Sequence, residues 1–131
     1  MKKFLITFLI TVNVYSQSSN VFKPVDVFDL EYVSNTEISP NGDKILYQRN
    51  YNDIMTDESF SNIWVINFDG SENRPITTGN FKDNSPKWSN KGDKFVFKSN
   101  REGKSQIFLF DLKNNSIQKL TNFQYSIEST Q

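Results

Sequence analysis

The sequence contains no cysteine and no histidine among its 131 residues. This excludes disulfides, thiol nucleophiles and every metal or catalytic site of this chain that would use an imidazole. Alanine, a strong helix former, is also absent, whereas phenylalanine, isoleucine, valine, threonine, asparagine and serine are abundant. Because these residue types favour strands and turns, we expect an all-β chain, and nothing in the sequence indicates a cofactor or a metal.

The amino terminus reads MKKFLITFLITVNVYSQ. Two lysines, a short apolar run and a small-residue cleavage pattern predict a signal peptide over residues 1–16, with Gln17 as the new terminus. An amphipathic or core helix is the alternative, and the apolar run is too short to span a bilayer. We therefore expect export to the periplasm or outside the cell, with no membrane span after signal cleavage.

Charge is balanced, with 15 basic and 15 acidic residues in the whole chain. Removal of Lys2 and Lys3 with the signal peptide would leave the exported chain mildly acidic. No basic stripe stands out along the sequence, so we predict no nucleic-acid partner.

Residues 17–36 are predicted to form a leader with a short helix. Pro24 suits the first helical position, and Asp26 favours the positive amino end of a helix. Strands and tight turns follow from Val33 onward. The pair Asn41 and Gly42 is the strongest hairpin signal, because a primed turn needs positive φ at its central residues.

The chain repeats itself. The segment Glu37–Asn50 matches Lys87–Asn100, and Ser61–Thr77 matches Ser105–Thr121. Each copy holds about four strand segments over roughly 44 to 50 residues, the size of one propeller blade. The repeat predicts a partial β-propeller of two four-stranded antiparallel blades, over residues 37–79 and 80–121, and residues 122–131 are expected to begin a third blade of a truncated array.

The strand interiors are continuous apolar runs. Runs of this kind predict strands that are buried on both faces, with a buried helix as the competing interpretation. The runs are Ile45–Tyr47, Ile63–Ile66, Phe95–Phe97 and Ile107–Phe110.

The copies differ by an insertion, because the first copy has YNDIMTDESF where the second has only REGK. We predict that the insertion is a loop on one rim of the structure. Its acidic residues Asp53, Asp57 and Glu58 indicate either a solvated loop or, less well, a cation site, because calcium loops space their ligands more densely. In the second copy, Arg101 and Glu102 are predicted to form a local surface ion pair, and contact with a substrate or partner is the alternative.

Two turns carry a family resemblance. Ser39–Lys44 and Trp88–Lys94 resemble the S-P-D-G-K signature of TolB-type propeller blades. Asn41 replaces the aspartate of that signature in the first copy, and Asn90 and Lys91 replace its proline and aspartate in the second.

The wider context resembles the start of the propeller domain of prolyl oligopeptidase family serine peptidases, particularly the acylaminoacyl-peptidase and dipeptidyl-peptidase-like members. The residues concerned are the helical lead-in Val27–Tyr32, the segment Arg74–Gly79, and Pro86 with Trp88. The resemblance implies that an α/β-hydrolase domain and further blades are the partners of this segment. It also implies that the propeller restricts which peptide substrates reach the active site.

No catalytic, cofactor-binding or metal-binding residue is predicted in this chain. There is no G-x-S-x-G nucleophile elbow, and a Ser-His-Asp triad cannot form without histidine. We therefore expect a non-catalytic propeller fragment of an exported serine peptidase. The alternatives are a periplasmic TolB-like propeller that binds proteins without enzymatic activity, and a β-rich exported domain whose resemblance is superficial.

Two blades would leave apolar faces and sheet edges uncovered. We therefore predict that the isolated mature chain aggregates, is molten, or assembles with copies of itself. A monomer with a single sharp thermal transition in dilute solution would contradict this expectation.

The purified chain is predicted to hydrolyse no peptide substrate, because it has no residue to activate a serine nucleophile. The measurement is release of a fluorophore from a panel of dipeptidyl and acylaminoacyl substrates, with a serine peptidase as the positive control. Turnover that is lost on treatment with a serine-reactive inhibitor would contradict the prediction.

Overall fold

A computed structural model of the chain describes residues 21–124. The signal peptide predicted over residues 1–16 lies outside the described residues, as does most of the predicted start of a third blade. The described chain has one 3₁₀ helix, Pro24–Asp29, and eight strands. The strands are β1 (Tyr32–Ile38), β2 (Lys44–Asp53), β3 (Glu58–Asn67), β4 (Arg74–Pro75), β5 (Asn84–Trp88), β6 (Lys94–Ser99), β7 (Gln106–Asp111) and β8 (Ser116–Lys119).

The strands form two four-stranded sheets, in the orders β1-β2-β3-β4 and β5-β6-β7-β8. Every neighbouring pair is antiparallel. Each sheet is thus a meander in which consecutive strands pair, and each corresponds to one copy of the repeat. The predicted all-β class with two four-stranded antiparallel units and a short helical lead-in is confirmed.

The first sheet begins at Tyr32, within the predicted leader, and not at Glu37. The pairing of β1 shifts between Ser34 and Glu37, where Asn35 has a left-handed φ of 48°. The Asn35 side-chain amide donates a hydrogen bond to Gln48 Oε1 at 2.6 Å. Because a bulge interrupts the regular alternation of side chains, the sequence pattern does not reveal where this strand begins.

The turn between β1 and β2 differs from the predicted primed turn. Gly42 alone of the predicted pair has a positive φ, of 75°, and its N–H donates to the Ser39 carbonyl at 2.9 Å. The second copy repeats this turn, since the Gly92 N–H donates to the Ser89 carbonyl at 3.0 Å. The hairpin lies at the predicted place, but its loop is longer and needs left-handed backbone only at the glycine.

A serine side chain closes each of these loops. Ser39 Oγ accepts a hydrogen bond from the Lys44 N–H at 2.9 Å and donates one to Asp43 Oδ1 at 2.9 Å. A hydrogen bond from the Lys44 side chain and, as a smaller effect, one from the Ser39 hydroxyl hold the pKa of the Asp43 carboxyl below its ordinary value. Ser89 makes the same bond to Asp93 in the second copy, at 2.9 Å. The serine, glycine and aspartate of the turn signature therefore act as local turn-forming groups.

The insertion in the first copy is not a loop. It extends β2 and β3 to ten residues each, whereas β6 and β7 have six. Tyr51 pairs with Phe60 in the added ladder, and their ring centroids lie 5.8 Å apart. The turn at the tip is closed by the Met55 N–H, which donates to Asp53 Oδ1 at 2.8 Å. The inserted residues thus lengthen the hairpin, because their aromatic and polar side chains form cross-strand pairs.

The 3₁₀ helix confirms the predicted helical turns after Lys23. The Lys23 N–H donates to the Asp26 carboxylate at 2.7 Å, which caps the amino end. The Asn52 side chain donates to the Val27 carbonyl at 3.2 Å, so the helix rests on the extended part of β2. Over residues 21–124 no helix is long and apolar enough to cross a bilayer.

Burial alternates along the central strands, and the prediction of burial on both faces is wrong for the described chain. In β6 and β7, every second residue is buried and its neighbours are partly exposed. One core joins the two sheets and consists of Leu46, Ile63, Val65, Phe95, Phe97, Phe108 and Phe110. The opposite faces remain partly exposed because no sheet covers them within residues 21–124.

Replacing Phe97 by alanine is predicted to lower the free energy of unfolding by about 3–5 kcal/mol, because its ring is 1% exposed and contacts Phe108 at 5.8 Å between centroids. The measurement is urea unfolding followed by tryptophan fluorescence. Phe68→Ala is the matched control, since that ring is 69% exposed, and a change of about 0.5 kcal/mol or less is expected. Equal losses in the two variants would contradict the assigned core.

Candidate functional site

Alternating side chains separate two faces on each sheet. One face of the first sheet carries Ile45 and Tyr47, and the equivalent face of the second sheet carries the aligned Phe95 and Phe97. We call this face of each sheet its leading face. The opposite face of each sheet is the trailing face. The core lies where the trailing face of the first sheet packs against the leading face of the second.

The two sheets also meet through their first strands, β1 and β5. The Trp88 indole N–H donates to the Glu37 carbonyl at 3.0 Å, and the Lys87 ammonium pairs with the Glu37 carboxylate. Nearby, the turn that contains Pro40 lies against the turn that contains Gly92. The two are so close that a Cβ atom added to Gly92 would lie 3.4 Å from the Pro40 ring. The contacts fix the angle between the sheets at this end.

The linker between the sheets is bonded to β3. The Ser61 N–H donates to the Phe81 carbonyl at 2.9 Å, and the Asp83 N–H donates to the Ser61 carbonyl at 2.9 Å. Ser61 Oγ donates to the Asp83 carbonyl at 2.8 Å. Tyr51 Oη donates to the Gly79 carbonyl at 3.1 Å, and burial raises the pKa of this phenol. The extended hairpin therefore braces the linker that leads into the second sheet.

A buried ion pair lies beside this linker. Arg101 Nη2 is 2.8 Å from Asp83 Oδ2, and the Asp83 side chain is fully buried. The Ser99 hydroxyl oxygen accepts from Arg101 Nε at 3.0 Å. The guanidinium also lies 5.2 Å from the ring centroids of Phe97 and Phe108. The pair therefore joins the linker to the aromatic core.

This geometry corrects the predicted Arg101–Glu102 pair. Arg101 is only 17% exposed in its side chain and binds Asp83, whereas Glu102 pairs with Lys119 at 2.6 Å on the surface. Asp83 Oδ1 has no hydrogen-bond partner within residues 21–124. The sequence did not predict this pair because its members are 18 residues apart. The repeat does not indicate it either, because the aligned residues in the first copy are Val33 and Tyr51, which cannot form an ion pair.

Two of the three acidic residues of the extended hairpin are neighbours. Asp53 lies opposite Glu58 in the ladder, and Asp53 closes the turn. In the described part of the chain, no group of three histidine, cysteine, aspartate or glutamate side chains is placed to hold a metal ion.

Several grooves lie on the described part of the surface. One lies on the leading face of the first sheet, where the Arg49 guanidinium sits 4.6 Å from the Trp64 ring centroid and pairs with the Glu31 carboxylate. Another lies between the sheets, beside Val65 and Leu112. Such grooves offer aromatic and ionic contacts.

Four-stranded antiparallel meanders that follow one another in sequence and pack face to face are blades of a β-propeller. The structure thus contains two consecutive blades.

Comparison with known proteins agrees with this class. The chain resembles the solved structure of the acylaminoacyl peptidase of Pyrococcus horikoshii with a TM-score of 0.65 and 20% identity, and the match covers 79% of this chain and 16% of that chain. It also resembles the structure of a TolB-like protein of Agrobacterium tumefaciens with a TM-score of 0.57 and 22% identity. That match covers 74% of this chain and 32% of that chain. Likeness at this identity shows the fold, and the predicted resemblance to both kinds of propeller is confirmed.

Two curated relatives are peptidases. The chain is 26% identical over 103 residues to the uncharacterized peptidase YuxL of Bacillus subtilis, covering 78% of this chain and 16% of that protein. It is 30% identical over 78 residues to dipeptidyl-peptidase 5 of Porphyromonas gingivalis, covering 60% and 11%. No protein-family model matches the chain. The chain therefore resembles a propeller segment of peptidase-family proteins and spans less than a fifth of the length of either relative.

Arg101→Met is predicted to lower the free energy of unfolding by about 3–5 kcal/mol, because it leaves the buried Asp83 carboxylate without its counter-ion. The double variant Asp83→Leu/Arg101→Met should recover most of this loss, because an apolar pair needs no counter-ion. Urea unfolding of the single and double variants measures the coupling.

Glu102→Gln is the matched surface control for this cycle, because it removes an exposed ion pair, and a change of about 1 kcal/mol or less is expected. If the double variant is as unstable as the sum of the single variants, the buried pair is not coupled and the prediction is wrong.

Proposed function

We propose that this chain is the non-catalytic amino-terminal part of the propeller of an exported serine peptidase. In that longer protein a separate hydrolase domain cleaves short peptides, and the propeller limits their access to the active site. The observation that carries the proposal is the pair of consecutive blades, whose sequence matches peptidases over 78% of the chain in one case. The lack of histidine supports a non-catalytic role for these blades, because a Ser-His-Asp triad needs an imidazole.

Export rests on the predicted signal peptide at residues 1–16. The lack of cysteine neither supports nor opposes a periplasmic or extracellular location. The partners under this proposal are the remaining blades, the hydrolase domain and the peptide substrates of the longer protein, with no nucleic acid.

A periplasmic TolB-like module that binds proteins without catalysis is the second candidate. The match to the TolB-like propeller favours it, because that match covers 74% of this chain at a TM-score of 0.57. The two candidates share these blades and differ in whether a serine hydrolase domain accompanies them.

The test uses an antibody raised against the purified chain and a fluorophosphonate probe, which labels active serine hydrolases. Cells of the source organism are labelled, fractionated and immunoprecipitated, and captured proteins are identified by mass spectrometry. We expect a labelled protein several times heavier than 15.3 kDa in the exported fraction, with an amino-terminal peptide that begins at Gln17.

Competition with excess purified chain is the control for specific capture. An unlabelled propeller of larger mass would support the TolB-like module over the peptidase. Capture of a cytosolic protein that keeps residues 1–16 would contradict export.

A further inference from the structure

The turn between β1 and β2 contains a chemically reactive dipeptide. Asn41 is followed by Gly42, and no other asparagine among the 131 residues precedes a glycine. An asparagine side chain can cyclise onto the backbone nitrogen of the next residue, and glycine allows this best because it has no side chain to block the approach. Asparagine is accordingly one of the residues that limit the chemical lifetime of proteins.

The geometry of the turn leaves this dipeptide open. Asn41 is exposed, and within residues 21–124 no heavy atom beyond the chain neighbours lies within 4 Å of the position of a Cβ on Gly42. The hydrogen bond from the Asn41 side chain to the Asp43 carboxylate contributes less to the lowered pKa of that carboxyl than those from Lys44 and Ser39. The Gly42 N–H donates to the Ser39 carbonyl at 2.9 Å, so this bond opens before the nitrogen reacts.

A second dipeptide of similar chemistry in the first blade is protected. Asp69 precedes Gly70, and an aspartate can cyclise in the same way when its carboxyl is protonated. The Asp69 carboxylate accepts hydrogen bonds from the Ser71 hydroxyl at 2.6 Å and the Ser71 N–H at 2.9 Å. These bonds lower the pKa of the carboxyl and so keep it ionised, and an ionised carboxylate is a poor electrophile. Reactivity is therefore expected at Gly42 and not at Gly70.

The second blade repeats the turn without the reactive side chain. Lys91 stands at the position of Asn41, and the Gly92 N–H donates to the Ser89 carbonyl at 3.0 Å. Lysine has no side-chain carbonyl that the nitrogen could attack. The two turns also touch, because Asn41 Oδ1 lies 3.5 Å from the position of a Cβ on Gly92. A chemical change at Asn41 therefore falls on the contact between the two blades.

We propose that Asn41 is a site of spontaneous modification, at which the side-chain amide is lost and the residue becomes aspartate or isoaspartate as the protein ages. The Gly42 nitrogen gives up its proton and forms a bond to Asn41 Cγ, and the side-chain nitrogen takes a proton and leaves as ammonia. Water then adds to one of the two carbonyl carbons of the resulting succinimide ring and breaks the bond from that carbon to the ring nitrogen. The steps need water alone and proceed whichever function the longer protein has.

The two products differ in their effect on the turn. Aspartate is the residue of the S-P-D-G-K signature at this position, and it keeps the length of the main chain. Isoaspartate carries the main chain through its own Cβ atom, which lengthens the turn beside Gly92. Isoaspartate should therefore weaken the contact between the two turns, whereas aspartate should preserve it.

The test follows the peptide that contains Asn41, both in the purified chain and in the longer protein captured from stationary cells. Mass spectrometry after digestion measures conversion of the amide to the acid, and an isoaspartyl methyltransferase assay detects isoaspartate. We expect acid forms to accumulate in this peptide before any other asparagine peptide. In the purified chain the rate should rise about tenfold per pH unit above neutral pH, because the reactive species is the deprotonated nitrogen.

Two variants locate the reaction. Asn41→Gln keeps an amide but requires a larger ring, so the acid forms should be lost from this peptide. Adding Lys91→Asn to Asn41→Gln places the reactive dipeptide in the second turn, and the acid forms should then appear there.

Asn41→Asp is the matched control for stability, because it reproduces one product. Its urea midpoint, followed by tryptophan fluorescence, should equal that of the unaltered chain. The isoaspartate fraction, separated from an aged sample by ion exchange, should unfold at a lower urea concentration.

Three outcomes would overturn the proposal. An Asn41 peptide that keeps its amide in both samples would show that the turn protects it. Isoaspartate that forms at Asp69 as fast as at Asn41 would show that hydrogen bonding in the turns does not set the reactivity. An isoaspartate fraction as stable as Asn41→Asp would show that the contact with Gly92 does not depend on the length of this turn.

Discussion

The packing of one blade face against the next is the interaction on which the rest of this structure depends. Four-stranded sheets of this size have no core of their own, and each buries apolar side chains only against a neighbour. Phe95 stacks on Phe110 with centroids 5.3 Å apart, and this aromatic layer covers Leu46 and Ile63 of the first blade. The polar framework of turns and linker holds the two sheets so that these surfaces meet.

That framework is repeated with the blades. Thr77 Oγ1 accepts from the Ile63 N–H at 2.9 Å, and Thr121 Oγ1 accepts from the Ile107 N–H at 2.9 Å. These bonds satisfy the N–H groups of Ile63 and Ile107 on the third strand of each blade, close to where the fourth strand separates from it. The Asp83–Arg101 pair is different, because the aligned positions of the first blade hold Val33 and Tyr51, and it ties the linker between the two blades to the core. The same architecture thus combines repeated local bonds with one bond specific to its place.

Local chemistry explains which features could be predicted. The turns at Gly42 and Gly92, the helix at Pro24 and the four strands of each copy follow from residues close together in sequence, and all are present. The bulge at Asn35 and the lengthened hairpin were not predicted, because a left-handed asparagine and a polar strand have no distinctive pattern. For the site, sequence reasoning excluded an imidazole-dependent centre but did not reveal the buried ion pair.

The order of amino acids specified two copies of one strand unit with apolar side chains on both faces, because repetition and hydrophobicity are properties of the chain alone. Which face of each copy is buried was decided by the tertiary structure, because the same apolar run can cover a neighbour on either side. Trp64 and Phe108 occupy aligned positions, yet Phe108 is buried and Trp64 is partly exposed, because within residues 21–124 the second blade alone has a partner on its leading face.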